Sequence, residues 1–98
     1  MINMENLIPI PELCIHYSVE LSFFTNLSEM GLLEIKTIKS KQYIDSNAIY
    51  EIEKMIRMHQ ELDVNIEGID VVFNLLQKID VLQNELTSLK NRLRLYES

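Results

Sequence analysis

The residues of this 98-residue chain that could catalyse a reaction or bind a metal ion are few and badly spaced. Cys14 and His16 are two positions apart, so on a helix their side chains would point about 200° apart and could not share a metal ion. His59 lies far away along the chain, with no second ligand at metal-binding spacing. Phosphate-binding loops and nucleophile motifs are also absent. We therefore predict that the chain is not an enzyme and has neither a metal site nor a cofactor.

Acidic side chains form a more informative pattern. The first 31 residues contain four acids and no lysine or arginine. These acids are Glu5, Glu12, Glu20 and Glu29. A DNA-binding protein needs Lys or Arg to displace counterions from phosphates, so this segment favours a basic protein partner, and an ordinary acidic surface is the alternative. We predict partner contacts at Glu12, Glu20 and Glu29.

Such a partner would also need apolar anchors, because complementary charge sets specificity and association rate more than affinity. The candidates are the exposed members of one apolar set in the same segment, with Phe23 as the first choice. This set is Phe23, Phe24 and Leu27. At least some of them must belong to the core.

Lysines in the middle of the chain are the best candidates for contacts with nucleic acid. They are Lys36, Lys39 and Lys41. All three fall in a region of the size of a small wing, from which they could touch phosphates. Ordinary solvated charge on a hairpin is the simpler interpretation, so we do not expect nucleic acid as the partner.

Apolar spacing, helix caps and chain breakers predict a mainly α-helical chain with a small β wing. Ser18 is predicted to cap a helix that runs to about Met30, where Gly31 supplies a left-handed stop. Asn65 is predicted to cap the last helix, and Gly68 permits close backbone approach in its first turn. The other predicted elements are strands within 6–10, 32–35 and 41–44, and helices at 11–17 and at about 47–62, the last of these capped by Asp45 or Ser46.

Leucines near the C-terminus recur at spacings of 4, 3 and 4, as in the a and d positions of a coiled coil. They are Leu82, Leu86, Leu89 and Leu93. No Gly or Pro interrupts residues 69–98, so one long helix is possible. We predict a homodimer interface on this leucine stripe, and the alternative is that the stripe folds back on its own domain. The apolar residues just before it, including Val71, Leu75 and Leu76, are expected to pack on the domain.

Size and composition limit the class of protein. At this length we expect one domain with a small core, which oligomerisation would help to stabilise. A single cysteine cannot form an internal disulfide, which fits a cytoplasmic protein. No apolar run approaches the roughly 18 residues of a membrane-spanning helix, and no basic-then-apolar leader marks the N-terminus.

The stretch from Glu61 to Leu76, ELDVNIEGIDVVFNLL, resembles the junction between the third and fourth helices of MerR-like winged-helix proteins. The closest likeness is to CbpM, a family of small chaperone modulators, and the HspR heat-shock repressors have a similar junction. The order of elements is also MerR-like, and the run Glu29-Met30-Gly31-Leu32-Leu33 is similar to the Glu-Gly-Leu-type sequence before the wing. The implied fold is a MerR-like winged helix-turn-helix domain at residues 1–78, followed by a coiled-coil-like dimerisation helix at 79–98.

Two functions follow from this resemblance. A CbpM-like protein would bind the J-domain of a DnaJ/CbpA-type co-chaperone and inhibit it, because an acidic face that covers the basic J-domain helix blocks Hsp70 recruitment. It would be a dimer with antiparallel or crossed C-terminal helices, as in MerR-like dimers. The alternative is a MerR/HspR-type transcriptional regulator that binds DNA as a dimer. DNA-binding members carry an arginine and aromatic residues just before the glycine, whereas residues 24–29 (FTNLSE) contain no base, which favours the CbpM-like interpretation.

Overall fold

The computed structural model describes residues 6–97, so the predicted docking acid Glu5 lies outside the described residues. Within this range the chain forms four α-helices and one three-stranded antiparallel sheet, which confirms the predicted mainly α fold with a small wing. In chain order the elements are β1 (Leu7–Pro9), α1 (Ile10–Tyr17), α2 (Leu21–Glu29), β2 (Lys36–Ile38), β3 (Lys41–Asp45), a 3₁₀ turn (Ser46–Ala48), α3 (Ile49–Glu61) and α4 (Ile66–Glu97).

The turn between α1 and α2 differs from the sequence prediction. Ser18 does not cap α2. It ends α1 in the left-handed conformation at φ 55°, and the Val19 N–H donates to the Cys14 carbonyl at 3.1 Å. This is the hydrogen-bond pattern of a Schellman motif. Because the turn contains no glycine, a serine takes the left-handed position, and α2 begins only after Glu20, whose side chain makes no capping hydrogen bond.

The end of α2 confirms the predicted stop at Gly31. Gly31 has φ 77°, and its N–H donates to the Ser28 carbonyl at 3.0 Å. The Leu32 N–H donates to the Leu27 carbonyl at 2.9 Å. A residue with a side chain would be strained at this φ, so glycine fixes where the helix-turn-helix ends and the wing begins.

The first wing strand lies four residues later than predicted. Residues 32–35 do not form a strand. They form an irregular segment in which Leu32, Leu33 and Ile35 pack against the core. The wing is instead a tight hairpin, in which Ile38 pairs with Lys41 across a two-residue turn. Both turn residues, Lys39 and Ser40, have positive φ, as in the primed turns that suit the strand twist.

The sheet has the order β1-β3-β2, with β3 in the centre. Leu7 pairs with Asp45 and Pro9 with Tyr43. Pro9 therefore lies on an edge strand, as its missing N–H requires. The buried core joins this sheet to all four helices and consists of Ile10, Leu13, Phe23, Phe24, Leu27, Ile44, Ile52, Met55, Ile56 and Ile69.

Asp45 begins the path into α3, although not by capping the helix directly. Its Oδ1 accepts a hydrogen bond from the Asn47 N–H at 2.9 Å and so caps the 3₁₀ turn, and α3 starts at Ile49 rather than near residue 47. The Lys36 ammonium lies 3.5 Å from Oδ2. The Asn47 hydrogen bond, aided by Lys36, lowers the pKa of Asp45 below its usual value.

Protonation of Asp45 is therefore expected to weaken the fold in acid. Because its pKa is lower in the folded state, its stabilising contribution is present above the unfolded-state pKa and disappears as the pH falls through the folded-state value. We expect wild type to be more stable than Asp45→Asn near neutral pH, and the difference to shrink below about pH 4. Urea unfolding across pH 3 to 7 measures this, and a gap that stays constant would contradict the assignment.

The junction between α3 and α4 is built as the sequence predicts. The Asn65 side-chain oxygen accepts a hydrogen bond from the Gly68 N–H at 2.8 Å, which confirms Asn65 as the N-cap. Val64 and Ile69 hold the two positions of a hydrophobic staple, which fixes the angle at which a chain enters a helix. Just before them, Asp63 reverses the chain with φ 58°. The close approach expected at Gly68 is also present, since an added Cβ would lie 2.7 Å from Val64 Cγ1 and 3.1 Å from the capping oxygen.

Replacement of Gly68 by alanine is expected to destabilise the protein. At an ordinary helical position this change gains about 1 kcal/mol, but here the new methyl group meets Val64 and the cap. We expect Val64→Ala to relieve part of the penalty, with a coupling of about 1 kcal/mol in a double-mutant cycle. The free energies of unfolding of wild type, both single variants and the double variant measure it. Additive effects would show that the two side chains do not compete for this space.

Helix α4 is one continuous helix of 32 residues, or roughly 48 Å at 1.5 Å per residue. Ile69 is buried in the core and Phe73 packs against it. The expectation that Val71, Leu75 and Leu76 pack on the domain is wrong, because all three are exposed. Every described side chain from residue 74 to residue 96 is exposed.

Across the described helices, none combines the length and apolar character needed to cross a membrane.

Candidate protein-docking groove

Two side chains link the helix-turn-helix to α3. The Gln60 amide donates to the carbonyls of Tyr17 at 2.8 Å and Ser18 at 3.3 Å. The Tyr17 hydroxyl donates to the Glu53 carboxylate at 2.8 Å, and burial together with this carboxylate raises the pKa of Tyr17. These bonds fix the turn before α2 relative to α3.

A groove lies between α2 and the α3–α4 junction. It consists of two adjoining depressions of about 510 and 420 Å³ that share Asn26, His59 and Ile66. We call it the junction groove. Glu20 and Asp63 line the first depression, and the second is lined by Glu29, Met30, Asn65 and Glu67. The groove therefore joins the helix-turn-helix to the stretch from Glu61 to Leu76, which carries the resemblance to MerR-like proteins.

An aromatic contact forms the floor of the groove. The His59 ring lies over the Phe23 ring with centroids 4.8 Å apart and an angle of 30° between the planes. Phe23 in turn meets Phe24 edge to face at 5.7 Å. Phe23 is only 5% exposed, and Phe24 and Leu27 are fully buried. The prediction that Phe23 is an exposed anchor is therefore wrong, since its ring is almost entirely buried in the core.

The charge of the junction groove has one sign. Glu20, Glu29, Asp63 and Glu67 are all exposed at its rim. Among the described residues that line either depression there is no lysine or arginine. Carboxylates grouped around a concave surface attract cationic ligands, so the groove suits a basic partner.

The other predicted docking acid lies elsewhere on the surface. Glu12 is exposed in the first turn of α1 and does not line the groove. Residues missed by the sequence reasoning are His59, Asp63 and Glu67. Two of them, Asp63 and Glu67, belong to the stretch whose family resemblance was already noted. The sequence therefore contained a signal for these two residues. That they lie opposite α2, however, depends on the tertiary fold.

The wing lysines of the DNA-binding alternative do come close together along the hairpin. Lys36 and Lys41 lie on the paired strands β2 and β3, and Lys39 lies in the turn between them. Lys36 is paired with Asp45, whereas Lys39 and Lys41 are exposed. The outward positions of α2 itself, such as Ser22, carry no positive charge.

The leucine stripe is exposed to solvent. Leu82, Leu86, Leu89 and Leu93 are each more than half exposed on α4. They lie on one face of the helix, as their spacing requires. Exposed apolar stripes are typical of surfaces that bind another molecule.

The side chains of Cys14, His16 and His59 are not arranged as a reaction centre. Within residues 6–97, no group of three or more His, Cys, Asp and Glu side chains is arranged to hold a metal ion. Cys14 is partly buried, and this burial raises the pKa of its thiol, which lowers the thiolate fraction that nucleophilic chemistry needs.

The winged helix-turn-helix, the capped junction and the long last helix define the class of protein. Residues 8–91 match the family described as MerR HTH family regulatory protein. This chain belongs to that family.

Within this family the chain resembles proteins that are named as chaperone modulators. It is 27% identical to the chaperone modulatory protein CbpM of Pseudomonas entomophila over 82 residues, which cover 83% of this chain and 81% of that protein. Two proteins of the same name from strains of Pseudomonas putida are 27% and 28% identical over the same shares of the chains. No solved structure matches this chain. The name of these relatives supports a chaperone-modulating role.

Proposed function

We propose that this protein is a chaperone modulator that binds the J-domain of a DnaJ/CbpA-type co-chaperone in the cytoplasm and prevents it from recruiting Hsp70. The observation that carries the proposal is the junction groove, whose rim is acidic and free of Lys and Arg in the described part of the chain. J-domains engage Hsp70 through a basic helix, and an acidic groove that covers this helix would compete with Hsp70 for it.

Several features of the groove favour a protein helix over a small molecule. The groove is long, since two depressions adjoin along α2, and its rim charges are spread over both ends. Ser22 donates to the Glu20 carboxylate at 3.4 Å, which helps to hold this acid at the rim. Long-range charge of this kind steers association and selects the partner.

Affinity also needs apolar contact, and the structure offers new anchors on α2. Leu21 is 50% exposed and Met30 is 40% exposed, at opposite ends of the helix. Met30 lines the second depression. Methionine adapts its shape to irregular partner surfaces. These two residues replace Phe23 as the proposed anchors, next to the acids Glu20 and Glu29.

A DNA-binding regulator is the second candidate, favoured by membership of the MerR family and by the exposed Lys39 and Lys41 on the wing. It requires α2 to approach phosphates with Glu20 and Glu29 on its surface, which like-charge repulsion opposes. A salt-dependent DNA affinity that is removed by neutralising Lys36, Lys39 and Lys41 would replace the first proposal.

The first test is calorimetric titration of the protein with the J-domain protein from the same cell. We expect binding to weaken about tenfold or more in Glu20→Lys/Glu29→Lys, because each reversal places a cation against a basic helix. Wild-type binding should also fall as salt increases.

The matched control is Glu34→Lys/Asp80→Lys, which changes the net charge equally at two exposed acids that do not line the groove. This control should bind nearly as wild type does. Equal weakening in both variants would mean that only net charge matters. If wild type does not bind at all, the J-domain proposal is wrong, and the wing lysines become the next site to test.

We also propose that the protein is a homodimer held by the leucine stripe of α4. The stripe is apolar, exposed and carried by a helix that extends beyond its own domain. Two heptads make a weak coiled coil when they stand alone, so the dimer should dissociate at low concentration.

Light scattering after gel filtration tests the homodimer. Leu86→Lys/Leu93→Lys should be monomeric and still folded, because lysine suits an exposed helical position but not an a position. The control Asn84→Lys/Asn91→Lys adds the same charge on the opposite side of the helix and should remain dimeric. A monomeric wild type at high concentration would refute the homodimer, whatever the J-domain titration shows.

A further inference from the structure

His59 lies where the two depressions of the junction groove meet. It lines both of them, together with Asn26 and Ile66. The residue is exposed, and its ring rests on the buried Phe23 ring with the centroids 4.8 Å apart and the planes tilted by 30°. This spacing is typical of packed aromatic pairs. Contact with a ring of the core therefore holds the imidazole as a flat surface at the floor of the groove.

The imidazole of His59 is free to meet a ligand. Within residues 6–97 it has neither a hydrogen-bond partner nor an ion-pair partner. A group that docks on this ring, or a proton that adds to it, therefore displaces no existing bond in the described part of the chain.

The charged groups that face His59 across the groove are all acids in the described part of the chain. They come from both ends of α2, from the turn before α4 and from the first turn of α4. They are Glu20, Glu29, Asp63 and Glu67. On α3 itself, the neighbouring charged residues Arg57 and Glu61 do not line the groove. A cation above the His59 ring thus meets carboxylates from both walls.

A flat ring below carboxylates suits arginine better than lysine. The guanidinium group is planar and stacks on aromatic faces, while its five N–H groups stay available to acceptors around its edge. A lysine ammonium is a compact point charge and gains only the attraction of the carboxylates. A neutral imidazole accepts the guanidinium stack, whereas an imidazolium repels it. Histidine changes charge between about pH 5 and 8, and ordinary carboxylates stay ionised through most of this range.

We propose that His59 is the specificity-determining residue of the junction groove: its neutral ring stacks against an arginine of the basic partner, and its protonation weakens this contact in mildly acidic solution. The inference rests on the proposed J-domain function and adds a residue contact and its regulation. The acidic rim attracts any basic surface, and the ring of His59 selects among such surfaces.

Calorimetric titration with the J-domain protein at pH 7.5 and 5.5 tests this role. Wild type should bind about fivefold more weakly at pH 5.5, because protonation adds a positive charge to the site. His59→Phe keeps a flat ring that takes up no proton, so it should bind as wild type does at pH 7.5 and lose the pH dependence. His59→Gln removes the ring, so it should bind about threefold more weakly at pH 7.5, also without the pH dependence.

The matched control is His16→Gln, which removes the other histidine of the chain. His16 is exposed on α1 and does not line the groove. This variant should keep the affinity and the pH dependence of wild type. Protonation of the partner affects all the variants alike, so a pH dependence that persists unchanged in His59→Phe would overturn the proposal. If wild type does not bind at pH 7.5, the J-domain function is wrong, and a measurement without the J-domain decides about His59.

That measurement follows the histidine ring protons of this protein by NMR. Two alanine-based helical peptides serve as probes, one with arginines and one with lysines at the same positions. The arginine peptide should shift the His59 ring signals at a several-fold lower concentration than the lysine peptide and leave those of His16 unchanged. It should also lower the pH at which His59 takes up its proton, because coupling between two binding events is reciprocal. Equal responses to the two peptides, or an unmoved proton uptake, would overturn the proposal.

Discussion

The hydrogen bond from the Gly68 N–H to the Asn65 side chain fixes where α4 begins after α3. Both proposed interfaces depend on this turn. On one side it holds Asp63 and Glu67 opposite α2, where they complete the acidic rim of the junction groove. On the other side it sets the direction in which α4 leaves the domain. The absent side chain at Gly68 makes this close packing possible, because a Cβ would meet Val64 at 2.7 Å.

The two proposed interfaces differ in their charge. The segment before Gly31 has no Lys or Arg, and the groove that it helps to form is acidic. The distal half of α4 instead carries both signs beside an apolar stripe, with Glu85 and Lys90 as examples. The acidic groove suits a basic partner protein. The mixed charges beside the apolar stripe suit a second copy of this chain. A single small domain can thus combine a partner-binding site with self-association.

Local signals in the sequence predicted the elements well. Three predictions were confirmed: the helix stop at Gly31, the helix cap at Asn65 and the long uninterrupted last helix. Each of these features depends on residues that are close together in the sequence. Ser18 was misassigned because capping residues also tolerate left-handed turns. The apolar residues at 32–35 were read as a strand, although apolar character reports burial and not backbone pairing. The groove could not be predicted, because it joins α2 to a junction more than 30 residues away, and Phe23 was misjudged for the same reason.

Mapping the J-domain contact on this protein by NMR would show directly whether the junction groove is the binding site. The backbone amides of the isotope-labelled protein would be followed while the unlabelled J-domain is added. If the J-domain binds in the junction groove, the largest shift changes will cluster there, at Glu20, Asn26, His59 and Glu67. Changes confined to the wing around Lys39 and Lys41, with the groove amides unmoved, would contradict it.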